Sequence, residues 1–120
     1  MNKETDKKLV DAINQLFSES RELEKELDRS EKEYWKERNR VEKVAKELGT
    51  VVYKSLEWEE LEFNVCNLQS GVKQKREEAN KLIGIHQELI AGEEVEDLKI
   101  ILERIEPIYQ RAKREEDREK

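Results

Sequence analysis

A single unbroken heptad frame runs from Leu9 to Leu48, and residues 1–48 contain neither Gly nor Pro. Nine of the twelve seam positions in this repeat are apolar. The seam consists of Leu9, Ile13, Leu16, Ser20, Leu23, Leu27, Ser30, Tyr34, Glu37, Val41, Val44 and Leu48. Such regularity is typical of a long helix that packs against other helices along one stripe. The sequence therefore predicts a first helix over residues 4–48.

The first break in this pattern is Gly49, one residue past Leu48. A residue that can adopt a left-handed conformation commonly ends a helix. Residues 49–55 then form a connector, and Ser55 is a suitable N-cap for a second helix. Because a short connector makes sequential helices antiparallel neighbours, facing residue numbers are expected to sum to roughly 104, with Leu48 opposite Leu56.

The heptad pattern resumes at Trp58 and continues to Leu89 with steps of three and four. This spacing predicts a second helix over residues 56–91, which Gly92 ends. The two predicted helices form an antiparallel hairpin.

A third helix is predicted over residues 94–116, because acidic residues that favour a helix N-terminus are followed by an apolar stripe. Pro107 is expected to kink or restart this helix. The tail, residues 111–120, is almost entirely charged and is expected to be a frayed, solvated helix end.

The apolar stripe of the first helix is wider in its N-terminal half, where Val10, Ala12 and Phe17 extend it. A wider stripe is what a second helical neighbour requires. The prediction is an all-α fold: a long antiparallel coiled-coil hairpin with the shorter third helix packing on one end. The chain is expected to form a single elongated domain over residues 1–120.

The composition supports a helical protein and disfavours several classes of function. One Pro and four Gly in 120 residues argue against a β-rich or loop-rich fold. The formal charge is −6, and the basic and acidic residues are mixed along the chain. No face is therefore basic enough to bind a row of phosphates, and nucleic-acid binding is not expected. No apolar run approaches the ~20 residues that cross a bilayer, and the N-terminus is too polar for a signal peptide. We expect no membrane association and a cytoplasmic location.

Five of the seven aromatic residues fall in or near the end of the hairpin that has only two helices, and two helices cannot bury them all. Exposed apolar surface of this kind marks an interface, with Trp and Tyr as common anchors. The predicted partner-binding residues are Trp35, Tyr53, Leu56, Trp58 and Phe63. Self-association is the favoured interpretation, with a homodimer as the expected assembly. The acidic residues nearby also suit a different protein partner with a basic surface.

The middle of the hairpin carries polar residues at seam positions, namely Ser30, Glu37 and Lys75. Gly71 lies at a similar level along the hairpin. Together these residues predict that the middle of the hairpin, which we call the waist, is loosely packed or hydrated. The alternative is that these polar residues set the register or the oligomeric state. A waist that opens as a cavity would make the protein a chaperone or a small-ligand-binding bundle.

Residues 50–66 also show period-two alternation, which is typical of a β-hairpin. With Val52, Tyr53 and Lys54 following the first coil, a plan of helix, hairpin and helix resembles the prefoldin β subunits. The resemblance implies a chaperone function. Breaks at Gly71 and Gly92 depart from the single long returning helix of that family.

Residues able to carry catalysis or bind a cofactor are sparse. His86 is the only His and occupies a seam position, where a hydrogen-bonded interior side chain, or one at the edge of the bundle, is expected. Cys66 is the only Cys and is expected to be a small buried or half-buried side chain. We therefore expect no enzyme activity, no metal and no cofactor. The predicted function is that of a non-catalytic helical interaction protein, such as an adaptor, an assembly factor or an inhibitor.

Overall fold

The computed structural model describes residues 1–119 and contains three helices in that part of the chain: α1 (Lys3–Leu48), α2 (Leu56–Ile90) and α3 (Leu98–Glu119). No strand occurs among these described residues. The all-α prediction is confirmed. The alternative β-hairpin over residues 50–66 is wrong, because the chain is helical from Leu56 onward.

Both ends of the connector between α1 and α2 are capped as the sequence predicts. Gly49 has a φ of 64°, and the N–H of Thr50 donates to the carbonyl of Ala45 at 3.0 Å. This arrangement satisfies a carbonyl that has no partner inside the helix. Ser55 Oγ accepts a hydrogen bond from the N–H of Trp58 at 3.0 Å, which caps the start of α2.

The boundary between α2 and α3 differs from the prediction. Gly92 ends α2 as expected, with a φ of 82°. The third helix begins at Leu98 rather than residue 94, so the acidic residues that precede it lie outside its first turn. Asp97 has a φ of 59°, a left-handed conformation that Asp tolerates and that interrupts a helical path. Its carbonyl then accepts the N–H of Ile101 at 3.0 Å.

Pro107 lies inside α3, which continues through it as one helix, so the predicted restart is wrong. The helix can continue because proline removes a single N–H donor. Ile105 and Tyr109, on either side of Pro107, are both buried and so hold the helix in place. The charged tail is helical as far as Glu119, and the part of that prediction that concerns Lys120 lies outside the described residues.

The described chain divides into two compact units. Unit 1 comprises Met1–Ser20 and the chain from Gln74 onward, and it contains parts of all three helices. Unit 2 comprises Arg21–Lys73, and it contains the rest of α1, the connector and the start of α2. The predicted division into a three-helix part and a two-helix part is therefore present.

Unit 1 contains the hydrophobic core. Its buried members are Leu9, Ala12, Ile13, Leu16, Ala79, Leu82 and Ile105. Ala12 is buried and Phe17 packs against this cluster, as the widened stripe predicts. In unit 1, α3 lies alongside α1 with the same direction, since Lys8 pairs with Glu106 and Glu19 pairs with Arg111.

Contacts in unit 2 show that α1 and α2 are antiparallel, but in a different register from the predicted one. Ser30 Oγ accepts a hydrogen bond from Asn64 Nδ2 at 3.0 Å, and Ser55 Oγ donates to Glu37 Oε2 at 2.7 Å. These partners lie about three helical turns from the positions that a tight turn predicts. The last three turns or so of α1 therefore extend beyond the start of α2, and the connector returns over that distance.

Leu23 of α1 packs closely against Gly71 of α2 in unit 2. A Cβ placed on Gly71 would lie 3.3 Å from Leu23 Cδ1. The absence of a side chain at Gly71 thus lets the helices come together. The loose packing expected for the waist as a whole stays a prediction.

Candidate protein-docking surface

Unit 2 carries most of the exposed large apolar side chains of the described chain, eight of eleven. We call these eight residues the unit 2 apolar surface. They are Trp35, Val44, Leu48, Val51, Val52, Tyr53, Leu56 and Phe63. Six of them fall within the thirteen residues from 44 to 56, so they are close together along the chain.

The uncovered end of the α1 seam explains part of this exposure. Val44 and Leu48 occupy seam positions, yet Leu48 is 74% exposed because α2 begins about three turns before the end of α1. Ala45 is buried, and its carbonyl accepts the N–H of Thr50 in the connector. The sequence analysis missed this exposed seam because it assumed a tight turn that places Leu48 opposite Leu56.

Four of the five predicted partner-binding residues are exposed: Trp35, Tyr53, Leu56 and Phe63. Their role in binding stays a prediction. Trp58 is different, because only 6% of it is exposed. It lies at a seam position in the first turn of α2, so it packs inside unit 2 and offers no surface to a partner.

A cluster of rings and cations holds the exposed Trp35 in place. The rings of Tyr34 and Trp35 meet edge to face with centroids 5.3 Å apart, and Tyr34 also meets Trp58 at 6.4 Å. The Arg38 guanidinium lies 5.0 Å from the Trp35 ring centroid and 5.6 Å from that of Trp58. Contacts of this kind fix a ring in one orientation, which suits an interface anchor because little freedom is lost on binding.

Glu37, predicted as a waist residue, fastens the connector to α1. Its buried carboxylate accepts two hydrogen bonds from Arg40, at 2.6 and 2.8 Å, and one from Ser55 at 2.7 Å. These bonds, with the Arg40 pair as the largest cause, lower the pKa of Glu37 to about 2. Since Ser55 also caps α2, Glu37 helps to set where α2 begins.

The other two waist residues have separate partners. Ser30 accepts a hydrogen bond from Asn64 in unit 2, while Lys75 donates to Glu19 at 3.0 Å in unit 1. Each polar seam residue is thus satisfied by a local contact. The predicted ligand-binding role of the waist stays a prediction.

The charge of unit 2 is divided between its helices. Over residues 36–48 of α1, the exposed side chains include four bases and one acid, whereas over residues 56–63 of α2 they include three acids and no base. The exposed bases are Lys36, Arg40, Lys43 and Lys46, and the exposed acids of α2 are Glu57, Glu59 and Glu60. Each charged stretch also contains exposed apolar residues of the unit 2 apolar surface.

The two residues singled out for chemistry have different environments. His86 Nε2 lies 2.6 Å from Asp6 Oδ1 in unit 1, so His86 is hydrogen-bonded as expected and is partly buried. Cys66 is exposed, and the expectation of a buried or half-buried thiol is wrong. Cys66 follows Phe63 by three residues, which places both on the same side of α2.

The described residues contain neither a metal-binding cluster nor a membrane-spanning helix. Within residues 1–119, no three His, Cys, Asp or Glu side chains are grouped so that they could hold a metal ion. None of the described helices combines the length and the apolar character needed to span a membrane.

Comparison with known proteins gives no relative for this chain: no protein family, curated protein or solved structure matches it.

Proposed function

We propose that the protein is a non-catalytic, cytoplasmic helical interaction module that acts through the unit 2 apolar surface. Its action takes the form of self-association, with a homodimer as the favoured assembly, or of docking onto a different protein with a basic surface. Adaptors, assembly factors and inhibitors are the classes of protein that work in this way.

The observation that carries this proposal is the concentration of exposed apolar side chains in unit 2. Soluble monomers rarely expose a large contiguous apolar patch, and such patches commonly mark interfaces. The exposed, fixed Trp35 and the exposed Tyr53 belong to the residue types that are enriched at interface centres. The open end of the α1 seam adds Leu48, whose position would ordinarily be covered by another helix.

The test is the molar mass in solution, measured by light scattering on a sizing column over a range of protein concentrations. We expect the wild-type chain to associate. The double change Leu48→Ser and Phe63→Ser should return it to the 14.4 kDa monomer without loss of helicity, because both side chains are exposed.

A matched control replaces Ile90 and Ile100 by Ser, since these are exposed apolar residues outside unit 2. This variant should associate like the wild type. If the control dissociates while the Leu48 and Phe63 variant does not, the proposed surface is wrong. A wild-type chain that is monomeric at every concentration would exclude self-association and leave docking of a different, basic protein as the form of the proposal.

A further inference from the structure

The charge division of unit 2 indicates which partner fits its exposed surface. The last turns of α1 combine the bases Lys43 and Lys46 and one acid, Glu47, with exposed Val44 and Leu48, so their exposed charges are basic on balance. We call residues 43–48 the basic end. The first two turns of α2 combine the acids Glu59 and Glu60 with exposed Leu56 and Phe63, and we call residues 56–63 the acidic face.

Several of these charges have no partner within the described chain. Lys43, Lys46 and Glu60 form no ion pair with any residue of the range 1–119. Glu62, by contrast, is paired with Lys54 at 3.0 Å. The exposed acids between the two apolar residues are then Glu57, Glu59 and Glu60, and of these Glu59 and Glu60 lie on the side of α2 that carries Leu56 and Phe63. Leu56, Glu59, Glu60 and Phe63 follow the spacing of three and four that places them on one side of a helix.

We infer that the partner is a second copy of this chain, with the basic end of one copy lying on the acidic face of the other. This inference rests on the proposed function and specifies its partner. A twofold axis makes the contact twice, since each copy contributes one basic end and one acidic face. Apolar residues then cover each other at the centre of each contact, and opposite charges flank them, which is the complementarity that sets partner choice and orientation.

The product is a closed dimer, because both complementary surfaces of each copy are occupied. An interface of this type has a definite charge dependence. Added salt weakens it, since the flanking charges are exposed to solvent. Reversal of either charged surface weakens it as well.

The experiment uses two full-length charge-reversal variants. The first carries Lys43→Glu and Lys46→Glu, and the second carries Glu59→Lys and Glu60→Lys. Each variant alone places like charges opposite each other at both contacts, so its dimer should weaken at least about tenfold. In an equimolar mixture, both contacts of a mixed dimer again pair opposite charges, and dimerisation should return.

The readout is the molar mass by light scattering, with an affinity tag on one variant so that the mixed dimer can be isolated. Circular dichroism checks that each variant keeps its helicity, and recovery on mixing shows independently that both are folded. The matched control carries Lys81→Glu and Lys99→Glu, two exposed lysines in unit 1 that change the net charge by the same amount as the first variant. It should dimerise like the wild type.

Three outcomes overturn the inference: a wild-type chain that stays monomeric, a wild-type assembly larger than a dimer, or two variants that fail to dimerise when mixed. Association that Leu48→Ser and Phe63→Ser abolish, but that neither charge reversal affects, would also overturn it. In that last case the proposed function stands and only the partner arrangement fails. If the wild-type chain is monomeric and binds a basic protein through Phe63, the partner of the unit 2 apolar surface is a different protein and not a second copy.

Discussion

At the scale of single residues, the Glu19 carboxylate accepts hydrogen bonds from several side chains of unit 1. Its carboxylate accepts hydrogen bonds from Arg111 at 2.7 and 2.9 Å, from Lys75 at 3.0 Å and from Gln15 at 3.1 Å. Partial burial raises the pKa of Glu19, but these bonds outweigh it and lower the pKa to about 2. One side chain thus joins all three helices of unit 1.

Replacement of Glu19 by Gln should lower the free energy of unfolding by about 2 kcal/mol at neutral pH, the typical worth of hydrogen bonds to a charged group. Because the pKa of Glu19 is depressed, its contribution is fully present above 4.5 and is lost as the pH falls from 4.5 to about 2. The difference between wild type and variant should therefore shrink across that range. Chemical denaturation followed by circular dichroism at several pH values measures both effects.

The matched control is Glu22→Gln, since Glu22 is exposed and pairs only at the surface with Lys25, at 3.3 Å. An exposed pair of this kind contributes little, so this control should unfold like the wild type. A stability difference between wild type and Glu19→Gln that is the same at every pH would contradict the assigned role of the Glu19 charge.

At the scale of helices, the sequence predicted the elements better than their alignment. The C-terminal end of α1 and the start of α2 follow from Gly49 and Ser55, because each signal acts through its own local hydrogen bonds. The register was wrong because it depends on the path of the connector. Glu37 provides that information only through its contact with Ser55, which lies 18 residues away and has no local sequence signal.

Ser55 therefore has two roles that substitution can separate, one in capping α2 and one in binding Glu37. Ser55→Ala removes both and should cost about 1 kcal/mol or more, the usual value of an N-cap. Ser55→Thr should retain most of the stability, because its hydroxyl can make both bonds. Ser55→Asp keeps the cap but places a second carboxylate against Glu37, so it should be less stable than Ser55→Thr.

Thermal unfolding of the three variants gives the comparison, with Ser70→Ala as a control on an exposed position of α2. If Ser55→Asp were as stable as Ser55→Thr, the bond to Glu37 would contribute nothing.

Trp58 illustrates the same separation of local and distant information. Its position on the seam was evident from the sequence, but its burial depends on Tyr34 and Arg38 of α1.

At the scale of the whole molecule, buried apolar residues and exposed apolar residues are distributed unequally between the units. The core cluster of seven buried residues lies entirely in unit 1. Unit 2 buries Ala45, Trp58 and Val72 among its apolar residues, and it carries most of the exposed ones. The sequence indicated this division through the width of the α1 stripe, but it could not show which seam residues remain uncovered.

Amide hydrogen exchange should reveal this inequality along the single helix α1. Regions with many buried contacts exchange only through large openings, whereas regions with few exchange through local ones. At low protein concentration, amides from Leu9 to Leu16 should therefore exchange at least about tenfold more slowly than those from Val41 to Leu48. At high concentration, association through the unit 2 apolar surface should slow exchange over the second stretch and leave the first unchanged. The Leu48→Ser and Phe63→Ser variant should lose the concentration dependence but keep the difference between the two stretches. Equal protection of both stretches at low concentration would contradict the assignment of the stable core to unit 1.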